Sequence, residues 1–261
     1  MNIQLSHMPS REKKERQFGL TMVMDKGISL RQAEEMVSSS SEYIDMVKLG
    51  FGTSVFSTQV KEKVKMYHNA KIKVYLGGTL FEACYVRGEL DKYRKYIDSL
   101  GIEMVEVSDG SMALDHKKKC ALITEYAKNY QVLSEVGSKE EGILISPAKW
   151  IKMMQAELDA GSWKVIAEAR ESGNVGIYRP SGQAHVMLIN KILSKINGND
   201  IIWEAPKKAQ QVYFIKNCGS NVNLGNIAEN ETIPLECLRM GLRGDTFFDY
   251  LPEEIVSKMK G

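Results

Sequence analysis

Apolar and β-branched residues recur along the chain in eight short runs, at 20–25, 43–50, 72–77, 104–109, 132–137, 164–170, 201–206 and 222–227. The stretches between them carry apolar residues at helical spacing. One has Leu90, Tyr93, Ile97 and Leu100 on one face, with Asp91, Lys92, Arg94 and Lys95 on the other. Another has Trp150, Ile151, Met154 and Leu158, and opens at Ser146-Pro147, an N-cap serine followed by a first-turn proline. A third runs from Leu235 to Met240 after Pro234. Strands that alternate with helices pair in parallel through right-handed crossovers. Eight such units predict an α/β fold, a (β/α)8 TIM-type barrel, which takes about 250 residues. The competing reading is a doubly wound open sheet with one or two strands miscounted. The serine run at 38–41 closes a helix, and no linker-like stretch divides the chain. One domain is expected over residues 16–261, with 1–15 as a flexible N-terminal arm.

Composition narrows the function. The 261 residues are 43% hydrophobic, and 35 Lys plus Arg against 33 Asp plus Glu leave a formal charge of +2. That balance gives no pull toward nucleic acid or an anionic membrane. No apolar run reaches the roughly 20 residues that span a bilayer. The N-terminus is polar and basic without an apolar signal region, so a cytoplasmic location is expected. Cys84, Cys120, Cys218 and Cys237 form no CxxC pair, and His7, His68, His116 and His185 form no ligand motif. His116 opens a His-Lys-Lys-Lys run that reads as a solvated helix face.

The charged residues inside the strands are more telling. Glu106, Glu135, Glu168 and Glu204 each sit in an apolar frame in the middle or later part of four consecutive strands. Barrel chemistry lies at the C-terminal strand ends, and lone carboxylates in strand interiors are costly unless paired, hydrogen-bonded or metal-bound. Four of them at one mouth suit a hard cation with oxygen ligands, for which Mg²⁺ is the natural choice. The alternative is structural pairing with inward cations, Lys48 and Arg170 being the candidates. Lys26, Lys48, Lys139 and Arg170 all follow or end strands, and such a set suits a small polyanion. Gly77-Gly78-Thr79 and Gly225-Asn226 offer backbone donors that a ligand can approach closely.

The segments GLTMVMDKG, YIDMVKLGFGTS, GGTLFE, VEVSDGS, VLSEVGSK, EARESG, EAPKKAQQ, VNLGNI and LECLRMGLRGDTFF together resemble the phosphosulfolactate synthase family, in its order, from Gly19 to Phe248. The resemblance implies a (β/α)8 barrel and a carbon–sulfur lyase. It also implies addition of sulfite to phosphoenolpyruvate, giving 2-phospho-3-sulfolactate through an enediolate-like intermediate, with Mg²⁺ as cofactor. It places the general acid at Lys139, the second residue after Glu135-Val136-Gly137. It further implies a homo-oligomer, a trimer among the options, for which Phe247, Phe248 and Tyr250 are candidate contacts, with a tail packing under the barrel as their equal alternative reading. From spacing, Glu135, Glu168 and Glu204 are expected as metal ligands or water-bridged neighbours, with Glu106 a fourth. Lys26, Lys48 and Arg170 are expected to hold phosphate, carboxylate and sulfite. Asn226 and Arg243 are expected to complete the phosphate site near the seventh and eighth strands; Arg243 has an equal structural reading, paired with Asp245 or Glu236. The chain departs from the family pattern at Phe51, Leu76 and Trp203, where tryptophan, proline and phenylalanine are usual. Those departures keep open a non-catalytic or altered-substrate barrel of the same family, with a stress-related or ligand-binding role.

Overall fold

The structure, a computed structural model, describes residues 2–137, 145–170 and 172–259. Eight parallel strands form the barrel: β1 (Thr21–Asp25), β2 (Met46–Leu49), β3 (Lys73–Leu76), β4 (Met104–Val107), β5 (Gln131–Val136), β6 (Ser162–Ala167), β7 (Ile201–Glu204) and β8 (Leu224–Ile227). The hydrogen-bonded order is β3-β2-β1-β8-β7-β6-β5-β4, and β3 and β4 lie against each other to bring the ring nearly to closure. The eight expected runs each overlap one of these strands, β5 and β6 beginning one and two residues earlier than expected, so the barrel reading holds and the open-sheet alternative falls.

Helices follow the strands: α1 (Leu30–Ser40), α2 (Thr53–Phe56), α3 (Val60–Asn69), α4 (Gly78–Val86), α5 (Leu90–Ser99), α6 (His116–Tyr126), α7 (Pro147–Asp159), α8 (Val186–Leu193), α9 (Lys208–Cys218), α10 (Thr232–Arg239) and α11 (Glu253–Met259). Local chemistry explains several ends. Ser29 and Gln32 close a capping box on α1, and Ser146 caps α7 ahead of Pro147 as expected. The helix at Pro234 starts two residues earlier, so the proline lies inside the first turn of α10, where its missing N–H costs no bond. Among the described residues no helix is long and apolar enough to cross a membrane.

A period of two along each strand sorts the side chains into an inner and an outer set. Leu20, Met22, Met46, Tyr75, Met104, Leu133, Ile166 and Ile202 fill the barrel interior. The alternate residues, such as Val47, Val105, Val165 and Trp203, pack outward against the helices. Two steps above the inner apolar layer come Lys48, Glu106, Glu135, Glu168 and Glu204, each buried. The apolar floor and the charged layer above it therefore share one register.

The other end of the barrel is sealed by arginines. Arg239 is fully buried and donates to the carbonyls of Ser220 (2.6 Å), Val222 (2.7 Å) and Leu20 (3.2 Å), joining α10 to the starts of β8 and β1. Where the sequence suggests a loose arm, Arg11 binds Glu236 (2.9 Å) and Asn221 (2.6 Å), and Lys14 donates to the carbonyls of Ser41 and Ala70. Arg16 pairs with Asp45 at 3.4 Å, and Asp45 in turn accepts from the Thr21 amide.

Candidate active site

The hub of the mouth is Lys48. Its ammonium lies 3.0 Å from Glu106, 3.5 Å from Glu204 and 3.6 Å from Glu135. Burial works against the charge, yet Glu106, Glu204 and Glu135 together hold the Lys48 pKa well above the ordinary lysine value. Lys48 is therefore a fixed cation rather than a proton donor near neutral pH. The carboxylates converge, and Lys48 pairs with three of them.

Three of the carboxylates accept from backbone amides. Glu106 accepts from the Gly78 amide at 2.7 Å, which links β4 to the start of α4 across the junction with β3. Glu204 accepts from the Ala169 amide at 2.8 Å, and Glu168 from the Arg170 amide at 2.6 Å. Burial, followed by the neighbouring Glu135, raises the Glu204 pKa to about 7 despite Lys48 and the Ala169 amide. Glu135, Glu168 and Glu204 each offer an oxygen within 4.8 Å of the others' oxygens. All donors are carboxylate oxygens, the set that suits a hard divalent ion with water completing its shell.

Glycines make the packing possible, though not in the way the sequence suggests. A Cβ at Gly78 would lie 2.1 Å from the Ser108 hydroxyl and 2.4 Å from Glu106, and one at Gly225 would lie 2.7 Å from Met22. These positions leave room for the protein's own atoms, and the Gly78 N–H is already committed to Glu106. Gly137 and Gly176, both at positive φ, let the backbone close around Glu168 in the same way.

Lys48, Glu135, Glu168, Glu204, Arg170 and Asn226 line a cavity of about 220 Å³ with Met24, Phe51, Gly77, Gly78, Thr79 and Ser111. Three of these residues, Phe51, Arg170 and Asn226, are non-glycine residues in the left-handed region, with φ of 51°, 55° and 55°. Such backbone is costly and clusters where a side chain must be aimed. Among the described residues the Asn226 Oδ1, buried at the cavity, has no hydrogen-bond partner. An unsatisfied buried acceptor of this kind is suited to a ligand donor.

The remaining expected residues fall elsewhere. Lys26 is exposed and does not line the cavity. Arg243 lies after α10, with one guanidinium nitrogen 3.5 Å from the Pro234 carbonyl. Asp245 pairs instead with Lys208, and Glu236 with Arg11. Lys139 lies outside the described residues. Asp25 ends β1 one residue past the inward Met24, so it turns outward to Lys63 and accepts from Tyr67 and the amides of Gly27 and Ile28. Of the three departures from the family pattern, only Phe51 touches the cavity; Leu76 and Trp203 are buried between strands and helices, Trp203 stacked on Phe214.

Sequence reading missed the residues behind the mouth. The His116 run is solvated at Lys117 and Lys118 but not throughout: Lys119 is fully buried and pairs with Asp109 (2.8 Å) and Glu157 (2.9 Å), while His116 lies 3.1 Å from Glu157. Glu82, buried in α4, grips the end of β4 through Ser108, Gly110 and Ser111. Their only signal was a charge placed where the helical period puts an inward-facing residue.

Comparison with known proteins gives a consistent picture. A sequence profile of the (2R)-phospho-3-sulfolactate synthase family matches residues 9–245. A phosphosulfolactate synthase of Methanothermobacter thermautotrophicus is 42% identical over 244 residues, covering 91% of this chain and 95% of the relative. The Bacillus subtilis phosphosulfolactate synthase is 38% identical over 244 residues, covering 92% and 97%. Among solved structures, 3-hexulose-6-phosphate synthase of Salmonella typhimurium aligns at TM-score 0.54 and 12% identity, over 86% of this chain and 100% of that one. Thiamine phosphate pyrophosphorylase of Pyrococcus furiosus aligns at TM-score 0.54 and 10% identity, over 94% and 98%. Those two show the fold alone.

Proposed function

The chain belongs to the (2R)-phospho-3-sulfolactate synthase family, and on that footing we propose that it is a carbon–sulfur lyase that adds sulfite to phosphoenolpyruvate, giving 2-phospho-3-sulfolactate with Mg²⁺. The observation that carries the reading is the charged layer at the mouth. One buried ammonium is ringed by carboxylates, three of which converge on an oxygen-only donor set beside a cavity sized for a small molecule.

The residues fit the chemistry. The sulfite sulfur attacks the methylene carbon and forms the C–S bond, while the double-bond electrons move toward the substrate carboxylate. Charge therefore accumulates on that carboxylate, and stabilising it is the main catalytic task. Mg²⁺ held by Glu135, Glu168 and Glu204 would supply Lewis acidity for that charge. Glu106 is taken by Lys48 and the Gly78 amide, so its role is to fix Lys48 in place. Lys48 stays charged and contributes a constant positive potential. Arg170 at the cavity edge would pair with the phosphate or sulfite oxygens. Asn226 presents a fixed amide from strained backbone. The proton that completes C2 is assigned to Lys139, two residues after Gly137.

A product assay tests the reading: purified protein with phosphoenolpyruvate, sulfite and Mg²⁺, with mass detection of phosphosulfolactate. Mg²⁺-dependent product is expected, falling at least about a hundredfold in Lys139→Ala, the typical contribution of a general acid. Undiminished product in that variant moves the acid elsewhere. Absence of product from folded protein overturns the reaction.

A further inference from the structure

The four residues that follow β4 are clamped from two sides by buried charges. Glu82, 3% exposed, accepts from the Ser108 hydroxyl, from the Gly110 amide at 3.1 Å and from the Ser111 amide at 3.0 Å. Asp109, between them, accepts from Lys119 at 2.8 Å. Lys119 also donates to the backbone carbonyl of Glu135 at 2.5 Å, tying this loop to a strand of the carboxylate cluster. A buried carboxylate and a buried ammonium are each costly unless fully bonded. Here both serve to hold one short loop.

What the loop presents is Ser111. Its amide is committed to Glu82, while its side chain is exposed and lines both the strand-end cavity and the adjoining cavity of about 1120 Å³. Fixed backbone on both sides gives this hydroxyl a defined position between the two spaces. We propose that Ser111 is a substrate-binding residue that donates its hydroxyl to a substrate oxyanion, and that Glu82 is the positioning residue that holds it there. The proposal rests on the reaction assigned above. A hydroxyl donates alike to carboxylate, phosphate and sulfite oxygens, so the separate KM values of the two substrates identify the group.

Ser111→Ala changes only an exposed hydroxyl. It should raise KM for one substrate about tenfold with kcat within about threefold, the range for one hydrogen bond to a charged group. Ser111→Thr, which keeps a hydroxyl, should restore most of the loss. Glu82→Gln puts an amide NH₂ where an acceptor is needed, so it should raise the same KM. It should also speed hydrogen exchange at the Gly110 and Ser111 amides while leaving the strand amides unchanged. The double variant should be no worse than the poorer single one, since Glu82 acts through Ser111. Unchanged KM for both substrates in Ser111→Ala, strictly additive losses, or unaltered exchange at both amides overturns the proposal. A wild type without turnover overturns the assigned reaction instead. Calorimetric titration with phosphoenolpyruvate and with sulfite then decides Ser111: about tenfold weaker binding of one of them in Ser111→Ala supports the proposal, and equal binding of both overturns it.

Discussion

Both ends of this barrel bury charge, and they do so to opposite ends. At the base, Arg11 meets Glu236, Arg16 meets Asp45, and Arg239 gathers three backbone carbonyls from just before the first and last strands. Each cation there faces an acceptor of the chain itself, and the product is closure of β8 on β1. At the mouth, among the described residues, three buried carboxylates surround Lys48 and a fourth, Glu168, lies with them beside a cavity and backbone held in the left-handed region. The charges at the base answer one another, whereas those at the mouth bring three carboxylates together beside a cavity. Buried charge alone therefore does not mark an active site. Buried charge that converges on a cavity, in a layer the floor beneath it does not share, does.

The largest expected effects come from exchanging the two kinds of cation for methionine. Lys48→Met leaves Glu106, Glu135 and Glu204 facing one another without their ammonium. Loss of a fixed charge at the reacting centre should lower kcat/KM about a thousandfold. Arg239→Met removes three bonds from a buried guanidinium and should cost about 3 kcal/mol, lowering Tm by roughly 10 °C. Its kcat/KM at 25 °C should stay within about twofold, the ordinary scatter for a site remote from chemistry. Steady-state kinetics and thermal melts on both proteins check this. Equal activity losses in the two variants would dissolve the contrast between mouth and base.

A smaller effect follows from pH and metal. Glu204 in the folded chain titrates near 7 against an ordinary value of 4.5, chiefly because it is buried. Between those values the folded chain holds a proton that the unfolded chain has released. In chelator-treated protein this group's contribution to stability should thus be full below about pH 4.5 and fall by about 3 kcal/mol as pH rises through 7. A divalent cation favours the ionised carboxylate, so the rise in Tm on adding Mg²⁺ should be larger at pH 8 than at pH 6. Melts across that range with and without Mg²⁺ check it. A stabilisation independent of pH would separate Glu204 from the metal. The base should show no Mg²⁺ response of its own.

The fold was legible because it rests on repetition. Eight apolar runs alternating with amphipathic stretches favoured a barrel over an open sheet, and the strand period also put Glu106, Glu135, Glu168 and Glu204 on one face. Lys48 was legible for the same reason, lying two residues beyond an inward methionine. Lys26 and Arg243 do not line the cavity, because proximity to a strand end in sequence does not fix direction. Lys26 lies past the end of its strand, and Arg243 follows a helix that runs away from the mouth. Glu82, Lys119 and Arg239 were illegible for a different reason. A charge on an amphipathic helix reads as solvated until its partner, distant in sequence, is seen.

The smallest predicted effect isolates strain, the feature that composition hides most completely. Phe51 sits at φ 51° two residues after β2, where a bulky side chain pays a steric penalty that asparagine largely escapes. It is 36% exposed, so its packing contributes less than a core phenylalanine would. Phe51→Asn should therefore raise stability by about 1 kcal/mol, seen as a Tm about 2–4 °C higher. Because Phe51 lines the cavity, the same change should raise KM about threefold, the loss expected from a modest apolar contact. Stability gained while binding weakens would show that the mouth holds this residue for its position and not for the fold. A substitution that lowered Tm would place Phe51 with the base arginines, as a residue the barrel needs in order to stand.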